Sequence, residues 1–82
     1  MPQTIEKIGE RIVELRKEKG LSQQQFAYEA DMERTYLNHI EKGRKNISIS
    51  TLEKITKGLD VSLVDFFNSD IFKKEGGQND IN

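Results

Sequence analysis

The chain has 82 residues, no cysteine and a net charge of −1 at pH 7. This length predicts one domain near the lower size limit for independent folding. The absence of cysteine excludes disulfides and thiolate metal sites, and no apolar run approaches the ~20 residues that cross a bilayer. The N-terminus, MPQTIEK, lacks the apolar core of a signal peptide, so we expect a cytoplasmic protein.

The first predicted element is an amphipathic helix with Thr4 as its N-cap. Apolar residues from Ile5 to Leu15 recur on one face at helical spacing, and Gly20 ends the helix. Gly9 lies within this stripe and weakens the helix by up to ~1 kcal/mol relative to alanine. A glycine there would allow a close crossing with another helix.

Residues 23–42, QQQFAYEADMERTYLNHIEK, predict two short helices joined by a tight turn. Ser22 and Gln25 have the spacing of a capping box at the start of the first of these helices. Asp31 is the predicted pivot of the turn, since aspartate tolerates the left-handed backbone region better than most residues.

The helix after this turn is predicted to start near Glu33, with Leu37 and Ile40 facing inward. Its outward face carries Arg34, Thr35, Asn38, His39 and Lys42. Arg34 and Thr35 occupy the start of this helix. Asn38 and His39 flank them one turn later.

The last third of the chain predicts two more helices, which gives five in an all-α fold. Gly43 ends the helix before them, Ser50 caps the fourth helix and Ser62 the fifth. Residues 1–72 form the predicted domain, and residues 73–82 form a polar tail that we expect to be flexible.

Charge is distributed unevenly along the chain. Residues 34–57 carry six basic side chains against two acidic ones, whereas residues 58–82 carry five acidic against two basic. A basic middle segment indicates a surface that faces phosphates, although ordinary solvated charges are the alternative. The predicted phosphate contacts are Tyr36, Lys42, Arg44, Lys45 and Asn46.

Other interpretations of these side chains stay open. Arg34 could be a solvated surface arginine, Tyr36 a core residue and Asn46 a turn residue. His39 is the only histidine, so a metal-ligand role has no partner residues and no cofactor is expected.

The segment from Ile5 to Phe67 resembles the Cro/lambda-repressor (XRE) type of helix-turn-helix regulator. The resemblance lies in a glutamine that opens the motif, a small residue for the helix crossing, an apolar residue after the turn and an apolar pair in the second helix: Gln23, Ala27, Met32, Leu37 and Ile40. This family prefers glycine where Asp31 stands, and the aspartate raises the free energy of the turn by ~1 kcal/mol. The resemblance implies a compact lambda-repressor-like fold, with Gln23 on a phosphate and Gln24 on a base. It also implies that the second helix of the motif enters the major groove, so Arg34 and Thr35 at its start are predicted to contact bases, with Asn38 and His39 beside them.

A narrower resemblance is to the controller proteins of restriction–modification systems. It is carried by ERTYLNHIEKGRKNIS and the following STLEKITKGLDVSLVDFF, although phage repressors share parts of these runs. The resemblance implies a small dimeric regulator that first activates and then represses its own promoter. It also implies that arginine and threonine contact bases, while tyrosine and the basic–Asn pair hold phosphates.

The C-terminal third has more apolar side chains than one small core can cover, which predicts a homodimer. A tightly packed monomer is the alternative. A symmetric dimer would hold two recognition helices roughly 34 Å apart on a near-palindromic operator. The predicted interface residues are Ile47, Ile49, Leu52, Val61, Leu63, Val64, Phe66 and Phe67. Leu52 and Phe66 are also predicted to be core residues, together with Ile55.

Three acidic residues, Glu29, Asp31 and Glu33, form an edge beside the predicted DNA surface. Our hypothesis is that this edge contacts RNA polymerase; the alternative is a purely structural role at helix starts and the turn. A phage-type repressor or an antitoxin-like protein-interaction module are the other functions considered. No catalytic triad or phosphate-binding loop is present, so the sequence does not predict an enzyme.

Overall fold

The structure, a computed structural model, describes residues 2–76 and shows six α-helices there. None of these residues forms a strand, so the all-α prediction is confirmed. Within the same residues, no helix has the length and apolar content to cross a membrane. The helices are α1 (Pro2–Glu18), α2 (Gln23–Glu29), α3 (Arg34–Glu41), α4 (Ile49–Leu59), α5 (Leu63–Phe67) and α6 (Asp70–Gly76).

The first five helices each contribute to one apolar core. Their buried residues recur three or four positions apart, as expected for helices with a single inward face. α6 adds Phe72, which is half-buried and packs against this core. The buried apolar residues are Ile12, Leu15, Phe26, Ala27, Ala30, Leu37, Ile40, Leu52, Ile55, Leu59 and Phe66.

Three of the predicted helix starts, at Ser22, Glu33 and Ser62, agree with the structure, and one at the N-terminus does not. Ser22 and Gln25 form the predicted capping box of α2, and Ser62 caps α5. The prediction that Thr4 caps the first helix is wrong, because α1 already begins at Pro2. Proline suits the first helical position, since its fixed φ is helical and its missing N–H would have no partner there.

The start of α4 also differs from the prediction. The N-cap is Ser48, whose Oγ accepts a hydrogen bond from the backbone N–H of Thr51 at 3.1 Å, and Ser50 lies inside the helix. With Ser48 as the cap, Ile47 and Leu52 occupy the two positions that form a hydrophobic staple. Ser50 as the cap would have placed a lysine at the second of these positions.

Four helix ends share one backbone conformation. Residues with positive φ follow α1, α2, α3 and α4, and in each case the next N–H donates to the carbonyl five residues earlier at 2.9–3.1 Å. This hydrogen bond satisfies a carbonyl at the helix end. The four residues are Gly20 (φ 71°), Asp31 (φ 55°), Gly43 (φ 74°) and Asp60 (φ 59°).

Arg11 fastens α5 to α1. Its Nε donates to the backbone oxygen of Phe66 at 2.7 Å, and its Nη2 donates to that of Asp65 at 2.8 Å. A cation at this position also offsets the partial negative charge at the C-terminal end of α5. The sequence did not indicate this contact, since the partners lie more than 50 residues apart.

The sixth helix, α6, is absent from the five-helix prediction. It is held by tertiary packing, with the ring of Phe72 4.9 Å from that of Phe67, and a helix of seven residues has little stability of its own. α6 includes residues 73–76, which belong to the predicted tail. The rest of that predicted tail, residues 77–82, lies outside the described residues.

Candidate nucleic-acid interface

α2 and α3 pack against each other through their apolar faces. Phe26 and Ala27 of α2 are buried, as are Leu37 and Ile40 of α3. The turn between the two helices contains Asp31 at φ 55°, which confirms it as the pivot. The pair therefore has the helix-turn-helix geometry that the sequence predicts, with the opposite face of α3 left toward solvent.

Four of the five predicted base-contacting residues lie on α3, and the fifth, Gln24, lies on α2, where it lines a separate depression with Ser22 and Tyr28. Arg34, Thr35 and Gln24 are exposed, whereas Asn38 and His39 are half-buried. Gln23, Arg34, Thr35 and Asn38 line one shallow depression. The structure therefore brings the start of α2 and the first turn of α3 together on one surface.

The loop after α3 supplies the basic part of this surface. Lys42, Arg44, Lys45 and Asn46 are all exposed and follow directly from the C-terminal end of α3. Tyr36 is half-buried and packs against the core, so its aromatic ring has a structural role whatever its hydroxyl contacts.

The first turn of α3 has no side-chain cap. Glu33 occupies the N-cap position, and within the described part of the chain it makes no capping hydrogen bond through its side chain. The N–H groups at a helix start bind anions well when they point at a ligand. The start of α3 therefore suits a phosphate group.

Gln23 connects α2 to three residues of α3. Its Nε2 donates to Glu41 Oε1 at 3.0 Å and to Asn38 Oδ1 at 3.2 Å. Its Oε1 accepts a hydrogen bond from Arg34 Nε at 3.3 Å. Two predicted base-contacting residues are thus held by a residue that the resemblance assigned only to a phosphate.

A buried ion pair supports this arrangement from below. Arg16 of α1 donates through Nε and Nη2 to the two carboxylate oxygens of Glu41, at 2.8 and 3.1 Å. The side chains of Arg16 and Glu41 are only 12% and 5% exposed. Arg16 also donates to the backbone oxygen of Leu21 at 3.0 Å.

Sequence reasoning missed Arg16 and Glu41 as part of the site. One signal was available: Glu41 follows the inward-facing Leu37 by four residues and so shares its side of α3. A charged residue on an inward face needs a partner, but the sequence gave no means of choosing Arg16 among the basic residues of α1.

Comparison with known proteins identifies the family. A family model described as helix-turn-helix matches residues 12–66. The chain belongs to this helix-turn-helix family. Its members are regulators rather than enzymes.

Within the family, control proteins resemble the chain over most of its length. It is 46% identical over 69 residues to the control protein C.MunI of a Mycoplasma species, covering 83% of this chain and 92% of that protein. Among solved structures, the chain is similar to the restriction–modification controller protein C.Esp1396I, crystallised as a tetramer in complex with its 35-base-pair operator. The two structures superpose with a TM-score of 0.74 and are 43% identical in sequence, and the match covers 77% of this chain and 83% of the C.Esp1396I chain.

A phage repressor matches less completely. The immunity repressor protein of Bacillus phage phi105 is 38% identical over 68 residues, but the match covers 47% of that protein. The resemblance to XRE-type regulators, and within them to controller proteins, is confirmed.

The structure corrects two of the predicted interface residues of this family member. Leu52 is 4% exposed and Phe66 is fully buried within one copy, so neither is available to a partner. Both belong to the inward faces of their helices, which agrees with their prediction as core residues.

Of the other predicted interface residues, four remain accessible. Ile47 and Val61 are half-buried against the core. The accessible ones are Ile49 (68% exposed), Leu63 (39%), Val64 (77%) and Phe67 (40%).

Proposed function

We propose that the protein is the controller protein of a restriction–modification system, a transcription regulator that binds operator DNA as a homodimer. The observation that carries this proposal is the exposed pair Arg34 and Thr35 at the uncapped start of α3. The match of the chain to nearly the whole of C.MunI supports a controller over a phage-type repressor, which is about twice as long as the matched segment.

In this proposal some residues of the surface contact bases and others contact phosphates. Arg34 can donate to O6 and N7 of guanine together, and Thr35 offers a hydroxyl and a methyl group to the groove. Gln24, Asn38 and His39 are the further proposed base contacts. Phosphates are held by Gln23, Tyr36, Lys42, Arg44, Lys45 and Asn46, which set the position of α3 without selecting a sequence.

The proposed homodimer uses the accessible apolar residues of α4 and α5. A twofold arrangement would present two copies of α3 to one face of a near-palindromic operator. The exposed acidic residues Glu29, Asp31 and Glu33 remain the proposed contact with RNA polymerase when the protein activates its promoter. Its proposed site of action is the cytoplasm, where the operator DNA lies.

The test is selection of bound duplexes from a random pool at fixed salt, followed by titration of the best duplex at several salt concentrations. The parent protein is expected to enrich a near-palindromic site and to lose affinity steeply as salt rises. The double variant Arg34→Ala, Thr35→Ala should stay folded, because both side chains are exposed, and should lose sequence preference.

A matched control is Lys45→Ala, which removes a proposed phosphate contact. It should weaken binding about equally for all duplexes and reduce the salt dependence. Unchanged affinity and selectivity in the folded Arg34→Ala, Thr35→Ala variant would contradict the proposed role of α3.

A further inference from the structure

The hydrogen bonds around Gln23 have a fixed direction. A carboxylate paired with arginine only accepts hydrogen bonds, so the group that Gln23 turns toward Glu41 must be its NH₂. The observed 3.0 Å bond from Gln23 Nε2 to Glu41 Oε1 has this orientation. The amide oxygen of Gln23 is then left to face Arg34, whose guanidinium has only donors.

The same orientation extends to Asn38. The NH₂ of Gln23 also donates to Asn38 Oδ1 at 3.2 Å, which turns the oxygen of that amide toward Gln23. The NH₂ of Asn38 then lies at the other end of its amide. Arg34 uses its Nε for the hydrogen bond to Gln23, so its two terminal NH₂ groups do not take part in that bond.

Donors directed at the groove match acceptors on base edges. Guanine presents O6 and N7, thymine presents O4, and adenine presents N7 beside its own N6 donor. A bidentate asparagine contact with adenine needs a donor and an acceptor from the same amide, and here the acceptor of Asn38 is directed at Gln23.

We propose that Glu41 is a positioning residue that sets the hydrogen-bonding polarity of the base-contacting surface. Through Gln23 it positions the guanidinium of Arg34 toward guanine and keeps the acceptor of Asn38 directed at Gln23, so that Asn38 meets its base through a donor alone, without the bidentate contact to adenine. The inference rests on the proposed function. Glu41 itself is 5% exposed in its side chain and lies beneath the surface that would meet DNA.

The experiment compares the base preferences of the parent, Glu41→Gln and Gln23→Met, each obtained by selection from random duplexes and checked by titration of single-base-pair variants. Glutamine at position 41 can donate or accept, so it no longer dictates the orientation of the Gln23 amide. Both variants are expected to lose about fivefold or more of the discrimination at the base pairs assigned to Arg34 and Asn38. Binding of a scrambled duplex should change much less in Glu41→Gln, whereas Gln23→Met also removes a proposed phosphate contact and should in addition weaken binding of every duplex.

The matched control is Glu14→Gln. Glu14 is also paired with an arginine, Arg11, at 2.8 Å, but its side chain is 45% exposed and it lies outside the contacts of Gln23. Its substitution should leave base preference unaltered.

Two results would overturn the inference while leaving the proposed function intact. One is an unaltered base preference in folded Glu41→Gln and Gln23→Met. The other is an equal loss of affinity for every duplex, which indicates a structural or phosphate role alone.

If Glu41→Gln does not fold because Arg16 loses its partner, Gln23→Met decides alone, since it leaves that ion pair in place. A parent protein that selects no sequence at all would instead overturn the proposed function, and this inference with it.

Discussion

Gly9 determines how closely α1 approaches α3. A Cβ atom built on this residue would lie 2.5 Å from the backbone oxygen of Glu41 and 2.6 Å from that of Ile40. These oxygens belong to backbone and cannot rotate away as a side chain could. The glycine that weakens α1 locally therefore permits the helix crossing that carries the Arg16–Glu41 ion pair, as its place in the apolar stripe suggested.

We predict that Gly9→Ala destabilises the protein by about 1–3 kcal/mol, because the overlap with α3 outweighs the better helix propensity of alanine. The measurement is urea unfolding followed by circular dichroism. Gly20→Ala is the control, since among the described residues nothing lies within 4 Å of its Cβ position and only its positive φ is unfavourable. A Gly9→Ala protein as stable as the parent would show that α1 and α3 can move slightly apart with no decrease in the free energy of unfolding.

Among the helices, α4 illustrates how neighbouring residues select a cap. Ser48 and Ser50 are both acceptable N-caps in isolation. The helix starts after Ser48, and Ile47 just before the cap packs against the core. The apolar residues on either side of the cap thus decide a choice that side-chain chemistry leaves open.

We predict that Ser48→Ala lowers the free energy of unfolding by about 1 kcal/mol, since the N–H of Thr51 loses its partner. Ser50→Ala provides the comparison within the same helix and should change stability by less than about 0.5 kcal/mol, since Ser50 is exposed. Thermal unfolding of both variants separates the two positions. An equal loss in both would assign the cap to the pair of serines rather than to Ser48.

At the scale of the whole molecule, the accessible apolar residues of α4 and α5 are not explained by one copy of the chain. Val64 is 77% exposed and Ile49 is 68% exposed, although each neighbours a fully formed core. A second copy would remove such surface from water, which is the main favourable term in association.

We predict that Val64→Lys raises the dissociation constant of the homodimer by about tenfold to a hundredfold, because two copies of the valine leave the interface. Stability of the monomer should be little affected, since the side chain is exposed. Sedimentation equilibrium over a range of concentrations measures the change.

Tyr28→Lys is the matched control for this prediction. Tyr28 is the most exposed large apolar residue of those described, at 86%, but it lies on α2 rather than on α4 or α5. It should leave the dimer unchanged. A dimer that tolerates Val64→Lys but not Tyr28→Lys would place the interface on α2 around Tyr28 instead.

The sequence by itself determined the helix-turn-helix and its outward face. Those features depend on local rules: the spacing of Leu37 and Ile40, the capping box at Ser22, and the ability of aspartate at position 31 to adopt the left-handed backbone conformation. Each needs only neighbours within one or two helical turns, so a pattern in sequence is sufficient.

Only the tertiary structure decided which distant side chains meet. The pairing of Arg16 with Glu41 and the contact of Arg11 with the end of α5 join residues on different helices. Several basic and apolar residues satisfy the local pattern equally well. The choice among them follows from how the helices cross, and that is set by the packing of the whole core.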